Sequence, residues 1–203
     1  MSDKVTTAAS KYRSVEDYLA AERKTSARDE YLNGRIIAKS SVNRWHNRIV
    51  SNSAIAIGSR TSGQKFEIYI SNMRVRLPNN LICYPDIVIV TGEPTFADAE
   101  MDLLLNPAIV IEVLSPLTQT CEKMQRLESL LAMESVRECL FIKQDEMRAE
   151  HYSRQNPKQW IYKIYNERED VVSIDSIGCK ISMQEIYAHL KLERPAMAPP
   201  TVN

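Results

Sequence analysis

Two acidic residues stand where an uncompensated carboxylate is costly. Glu112 follows Ile109-Val110-Ile111 and precedes Val113-Leu114, and Asp86 follows Pro85 at the head of Ile87-Val88-Ile89-Val90. An ionised carboxylate inside such a run needs a cation or hydrogen bonds to offset its lost hydration. If the two apolar runs are antiparallel neighbours, the start of one lies beside the end of the other, and the two carboxylates converge. Hard oxygen ligands at one spot, without histidine or cysteine, suit Mg²⁺ or Mn²⁺, which take one or two carboxylates plus water and substrate phosphate. The plain structural alternative has Asp86 capping a turn and Glu112 paired with an arginine such as Arg74 or Arg76.

Other chemistries are poorly served. The glycines Gly34, Gly58, Gly63, Gly92 and Gly178 are too scattered for a phosphate-cradling loop or a dinucleotide fingerprint. The cysteines Cys83, Cys121, Cys139 and Cys179 have no CxxC spacing and the histidines His46, His151 and His189 form no HExxH, so a zinc site is not expected and the thiols read as reduced core residues. Twenty-six basic residues balance 26 acidic ones, which excludes a strongly basic nucleic-acid coat but leaves room for a local basic groove. Arg44, Arg48, Arg74 and Arg76 are the candidate phosphate contacts, because guanidinium groups pair with phosphate without reading sequence. Aromatic residues make up only 7% of the chain, too few for a base-stacking platform. No apolar stretch approaches the length of a membrane span and the N-terminus carries no signal-peptide segment, so a cytoplasmic protein without a membrane partner is expected.

The elements that must position these residues read as follows. With 203 residues and 44% hydrophobic positions, one domain is expected over 13–192, between flexible ends at 1–12 and 193–203. Ser14 and Asp17 open a short helix, and Asn33-Gly34 marks a hairpin within Asp29 to Lys39. A long helix is predicted from Asn43 to Ile57 with Gly58 as its stop. Phe66 to Leu77 reads as a strand or hairpin pair, with Met73, Val75 and Leu77 opposite Arg74 and Arg76. The runs at 87–90 and 108–111 suit central strands covered on both faces. A second helix fits Gln119 to Met133, capped by Thr118 or Thr120, with Met124, Leu127, Leu130 and Leu131 buried. Strands at 138–142, 148–152, 160–165 and 171–174 and a helix at 183–190 close the chain. The order indicates an α+β (mixed α/β) domain with a central mixed sheet flanked by helices.

The segments YPDIVIV (84–90) and PAIVIEVLSP (107–116), with 25 residues between the acids, resemble the PD-(D/E)xK nuclease superfamily, and more narrowly its Uma-type family of restriction endonucleases. The likeness continues through DEYLNGRI (29–36), WHNRIVSN (45–52), SNMRVRL (71–77) and RECLFIKQDEMRAEHYSRQ (137–155). The resemblance implies a restriction endonuclease-like core with extra C-terminal antiparallel strands. It implies a metal-dependent endonuclease that hydrolyses nucleic acid, DNA in the first place, and a homodimer. Asp86 and Glu112 would hold Mg²⁺ or Mn²⁺, and Glu30 matches an acid of the family's first hairpin. His46 matches a family histidine with access to phosphate or the site.

A lysine completes the family's site, and here the chain departs. The position two residues after Glu112 is Leu114, and the family's helix lysine matches Arg126, with Glu122 as the acid four residues before it. Arginine stays protonated and cannot act as a base. Lys123 lies one helical turn earlier, so Lys123 or Arg126 is the expected cationic member, and Asn72 stands where many relatives carry an acid. The alternative is an impaired nuclease fold that binds nucleic acid or a partner without cleavage.

Overall fold

The computed structural model describes residues 13–39, 42–116, 118 and 120–192, so the ends expected to be flexible lie outside the described residues. Helix α1 (Val15–Glu22) begins at Ser14, whose hydroxyl accepts the Asp17 N–H at 3.0 Å. Strands β1 (Glu30–Leu32) and β2 (Arg35–Ile37) form a hairpin about Asn33 and Gly34, whose φ values of 47° and 87° supply the left-handed pair a two-residue turn requires. Helix α2 (Arg44–Arg60) is capped by Asn43, whose side chain accepts the N–H groups of Trp45 and His46.

The chain continues through β3 (Phe66–Ile70), β4 (Arg74–Leu77), β5 (Leu81–Cys83), β6 (Ile87–Thr91), β7 (Leu103–Leu104) and β8 (Ile109–Leu114), then α3 (Thr120–Ala132). After it come β9 (Glu138–Lys143), β10 (Ala149–Asn156), β11 (Gln159–Tyr165), β12 (Val171–Ile174), β13 (Cys179–Ser182) and α4 (Met183–Ile186). A six-stranded sheet has the order β11-β10-β9-β8-β6-β3, and a five-stranded sheet has the order β2-β1-β5-β4-β7. Within the larger sheet only β8 and β9 run parallel, joined by α3 as the crossover; the other neighbours are antiparallel. The fold is thus mixed α+β, with a central mixed sheet between helices and further antiparallel strands toward the C-terminus.

Alternation along β6 and β8 assigns the two faces. Ile87, Ile89, Ile109 and Ile111 pack with Ile49 and Ile57 of α2 and with Ile181 and Met183 of the C-terminal hairpin and helix. Val88, Val90 and Val110 point the other way, onto Leu127 and Leu130 of α3 and Val75 and Leu81 of the second sheet. Both runs are therefore buried on two sides, as their unbroken apolar sequence requires. Cys83, Cys139 and Cys179 are free thiols within these packed surfaces.

Four expectations need correction. Residues 66–77 are not one strand or a hairpin pair: β3 pairs with β6 in the larger sheet and β4 with β5 and β7 in the smaller. The chain changes sheets at Ser71, whose φ of 61° breaks the strand and whose N–H is held by the Asp86 carbonyl at 2.9 Å. Gly58 does not stop α2, which runs on to Arg60; the Arg60 guanidinium bonds the Ala56 carbonyl at 2.9 Å and pairs with Glu185 at 2.5 Å, offsetting one glycine's low propensity. Met124 is 46% exposed, because the face of α3 turned inward carries Lys123, Arg126, Leu127 and Leu130 instead. Strands β5, β7 and β13 have no counterpart in the predicted elements; they are two to four residues long, too short for a period to register.

Candidate active site

The ladder between β6 and β8 pairs Ile87 with Ile111, so the next residue outward on each side sets Asp86 across from Glu112. Asp86 is 3% exposed and its carboxylate is approached from three directions. Its Oδ2 accepts the Val113 N–H at 2.8 Å, and its Oδ1 lies 3.0 Å from His46 Nε2 and 3.7 Å from Lys39 Nζ. His46 reaches it from the first turn of α2, and Lys39 from the chain leaving β2. The Lys39 ammonium also donates to the Tyr84 carbonyl at 2.5 Å.

Glu112 continues the Val110 face of β8, the side covered by α3. Its Oε1 accepts one arm of the Arg126 guanidinium at 2.8 Å, and the other arm donates to Glu30 Oε2 at 2.5 Å. Glu30, at the start of β1, is further held by the Tyr84 N–H, 3.4 Å from its Oε1. Glu30, Lys39, His46, Asp86, Glu112, Lys123 and Arg126 all line one cavity of about 590 Å³, whose remaining wall includes Leu32, Leu114, Pro116 and Phe141.

The two central acids differ in their titration. Burial pushes the Glu112 carboxyl up to about 7: Arg126 pulls it down, while the negative charge of Asp86 adds to the rise. Burial acts on Asp86 in the same direction, but the His46 hydrogen bond, the Lys39 charge and the Val113 N–H outweigh it and hold this acid below the ordinary carboxylate range. Asp86 is therefore ionised at neutral pH, and the charge on Glu112 is only partly compensated. Such a pair on a cavity wall fits a hard divalent cation whose other positions are taken by water and substrate oxygens. Among the described residues no three His, Cys, Asp or Glu side chains are grouped to hold a metal by themselves.

Other sequence-derived candidates lie elsewhere or do something different. Lys123 is on the cavity wall, but its ammonium is paired with Glu150 Oε2 at 2.5 Å, and Arg148 meets the other Glu150 oxygen at 3.2 Å. His46 holds Asp86 rather than standing free for phosphate. Arg74 is a clear correction: it is 9% exposed, with Nε donating to the Tyr84 hydroxyl at 2.6 Å and a terminal nitrogen to Asp102 at 2.5 Å, so it is not a phosphate contact. Arg44 is exposed and lies 4.8 Å over the Trp45 ring, Arg48 is half-buried and Arg76 is exposed; none of the three lines the cavity. Asn72 accepts from Arg28 at 3.2 Å, and Glu122 lines the cavity. Glu112 does pair with an arginine, as the plain structural alternative expects, but the partner is Arg126 rather than Arg74 or Arg76. Lys39 is the residue that sequence reasoning missed, since nothing in its hairpin segment relates it to a proline-aspartate pair more than forty residues on.

The sequence model of a family described as "Putative restriction endonuclease" (Uma2) matches residues 15–184. Two uncharacterized proteins of Synechocystis sp. are similar to this chain. One, sll1609, is 28% identical over 155 residues, covering 76% of this chain and 88% of its own length. The other, slr1290, is 25% identical over 179 residues, covering 87% and 92%. A solved structure described as a "putative nuclease belonging to DUF820" from Anabaena variabilis has a TM-score of 0.70 at 20% identity, over 86% of this chain and 97% of that one, a likeness of fold. Among the described residues no helix is long and apolar enough to cross a membrane.

Proposed function

The chain belongs to the Uma2 family of restriction endonuclease-like proteins, and from that premise we propose that it is a metal-dependent endonuclease hydrolysing phosphodiester bonds of nucleic acid, DNA in the first place, at the cavity around Asp86 and Glu112. The observation that carries this reading is the placement of the two acids opposite one another at the end of the β6–β8 ladder, on the wall of that cavity. Asp86 and Glu112 are the residues to hold Mg²⁺ or Mn²⁺, with Glu30 as an auxiliary acid. A divalent ion there would polarise a phosphoryl oxygen and lower the pKa of an attacking water. The chain's own groups do the rest. His46 and the Val113 N–H fix the orientation of Asp86 and keep it ionised. Arg126 ties Glu112 to Glu30 and, always protonated, contributes charge but no proton acceptor.

Cleavage of supercoiled plasmid in Mg²⁺ and in Mn²⁺ by wild type and Asp86→Ala tests the reading, together with calorimetric Mn²⁺ titration of wild type and Glu112→Gln. Metal-dependent nicking lost in Asp86→Ala, and Mn²⁺ binding lost in Glu112→Gln, are the expected results. Equal behaviour of wild type and both variants sinks the proposal. A homodimer, which cutting two strands calls for, belongs to the same reading; a monomer in sedimentation at high concentration removes it.

One observation favours the impaired alternative. Both arms of Arg126 are engaged by carboxylates, so the helix position matching the family's lysine serves as an internal counter-ion. In that case the fold retains nucleic-acid binding and has lost hydrolysis.

A further inference from the structure

Resting on the nuclease reading, we propose that Lys39 is the lysine of this site, its ammonium donating to the phosphate whose ester bond is cut, a role that neither Leu114 nor Arg126 fills. Among the described residues two lysines line the cavity, and they are differently placed. The Lys123 ammonium is 2.5 Å from Glu150 and 5.6 Å from the centre of the Phe141 ring, so its charge on the cavity wall is already neutralised by a carboxylate. Lys39 bonds one carbonyl, that of Tyr84, and faces Asp86 at 3.7 Å, a long ion pair that leaves donors of its ammonium for a ligand.

The fold explains how a hairpin residue comes to the site. Strand β2 is the edge of the smaller sheet, and the chain leaving it must reach the Asn43 cap of α2. Lys39 lies on that path and His46 just past its end, so the same short connection brings both side chains to one oxygen of Asp86. A lysine delivered from the hairpin meets Asp86 from the β2 side, whereas Arg126 meets Glu112 from the α3 side, and all four residues line the cavity.

The chemistry asked of Lys39 is electrostatic. In the hydrolysis, the oxygen of water bonds to phosphorus, the bond from phosphorus to the leaving sugar oxygen breaks, and the proton lost by water is balanced by one gained on that leaving oxygen. Lys39 stays protonated throughout. It donates to a non-bridging phosphate oxygen, where negative charge grows in the transition state. A compact ammonium suits this better than a guanidinium already committed to two carboxylates.

The full-length chain is to be tested as wild type, Lys39→Met, Lys39→Arg, Asp86→Ala and the surface control Lys163→Met. Single-turnover plasmid cleavage is measured in Mn²⁺, and binding of a short duplex by fluorescence anisotropy in Ca²⁺ as salt is raised. Lys39→Met is expected to cleave about 10²-fold more slowly, the typical loss of one such donor. Its binding should lose about 0.9 from the slope of log K against log salt, one phosphate contact. Lys39→Arg should restore the slope but not the rate, and Lys163→Met should match wild type. If Lys39→Met cleaves like wild type while Asp86→Ala is inactive, the assignment of Lys39 falls and the nuclease reading stands. If wild type leaves the plasmid intact in Mn²⁺, the nuclease reading falls, and the salt slope alone decides Lys39: an unchanged slope overturns it and a reduced slope supports a phosphate contact. Should Lys39→Met not fold, Lys39→Gln serves in both measurements.

Discussion

Arg126 donates to Glu112 at 2.8 Å on the cavity wall, and the same guanidinium reaches Glu30 at 2.5 Å, so a single helix residue neutralises acids from two different sheets. Removing one partner of a mostly buried pair leaves charge without compensation, which typically costs about 3–5 kcal/mol. Arg126→Met should therefore be strongly destabilised, with two carboxylates left facing each other. Arg126→Lys keeps the charge but cannot bridge both acids. We expect it to be less stable than wild type by about 1–2 kcal/mol, through loss of one charge-assisted bond, and to cleave at least as fast. Urea unfolding and plasmid nicking on the same preparations check both; a gain of nicking from a silent wild type selects the impaired reading.

His46 tests the support of Asp86 independently. Its ring nitrogen is 3.0 Å from Oδ1 and both residues are buried, so the contact orients the carboxylate as an outer partner orients a metal ligand. His46→Ala should weaken Mn²⁺ binding about 10–100-fold, the usual effect of deleting such a partner. Duplex binding in the absence of divalent metal should be unchanged, because His46 is not a phosphate contact. Calorimetry with Mn²⁺ and anisotropy with a labelled duplex separate the two effects.

These residues differ in how far the sequence announces them. Asp86 and Glu112 are legible because one heads and the other interrupts an apolar run that only a doubly covered strand accommodates, and antiparallel pairing of two such strands leaves few registers. Asn33-Gly34 is legible because few residue pairs take two left-handed conformations in succession. Arg74 is not: alternation in β4 sets it beside Arg76 on one face, yet Tyr84 and Asp102 cover Arg74 while Arg76 is exposed. Tyr84 follows β5 and Asp102 leads into β7, strands of three and two residues that no periodicity reveals, and Arg23 of the α1 cap fastens Asp98 and Asp102 with bonds of 2.8 and 2.6 Å. Lys39 is illegible for a related reason, since its partners Tyr84 and Asp86 are contributed through a connection between sheets.

The Glu150 cluster predicts an acid limb of stability. Burial works to raise the Glu150 carboxyl, but hydrogen bonds and charge from Lys123 and Arg148 outweigh it and hold it below the ordinary glutamate value of 4.5. In the unfolded chain those partners are absent, so on acidification the unfolded state takes up the proton first. Stability from this cluster is fully present above pH 4.5 and is lost as pH falls through the depressed native value. Glu150→Gln should be less stable than wild type at neutral pH, and the difference should shrink on acidification. Urea midpoints measured at a series of pH values check this; parallel curves for the two proteins would contradict it.

Gly58 offers a test of the fold apart from the site. It lies inside α2 rather than at its end, and an ideal Cβ built there meets no heavy atom within 4 Å. Its φ is not in the left-handed region that favours glycine, so alanine adopts the same backbone without strain. Alanine also has fewer unfolded conformations to lose, so Gly58→Ala should stabilise the protein by about 0.4–1 kcal/mol. The gain depends on the helix continuing through residue 58 to the Arg60–Glu185 pair. If α2 instead ended at Ile57 with Gly58 as a left-handed stop, the same substitution would force a Cβ into a disfavoured conformation and lower stability. The sign of the change in the urea midpoint therefore decides where the helix ends.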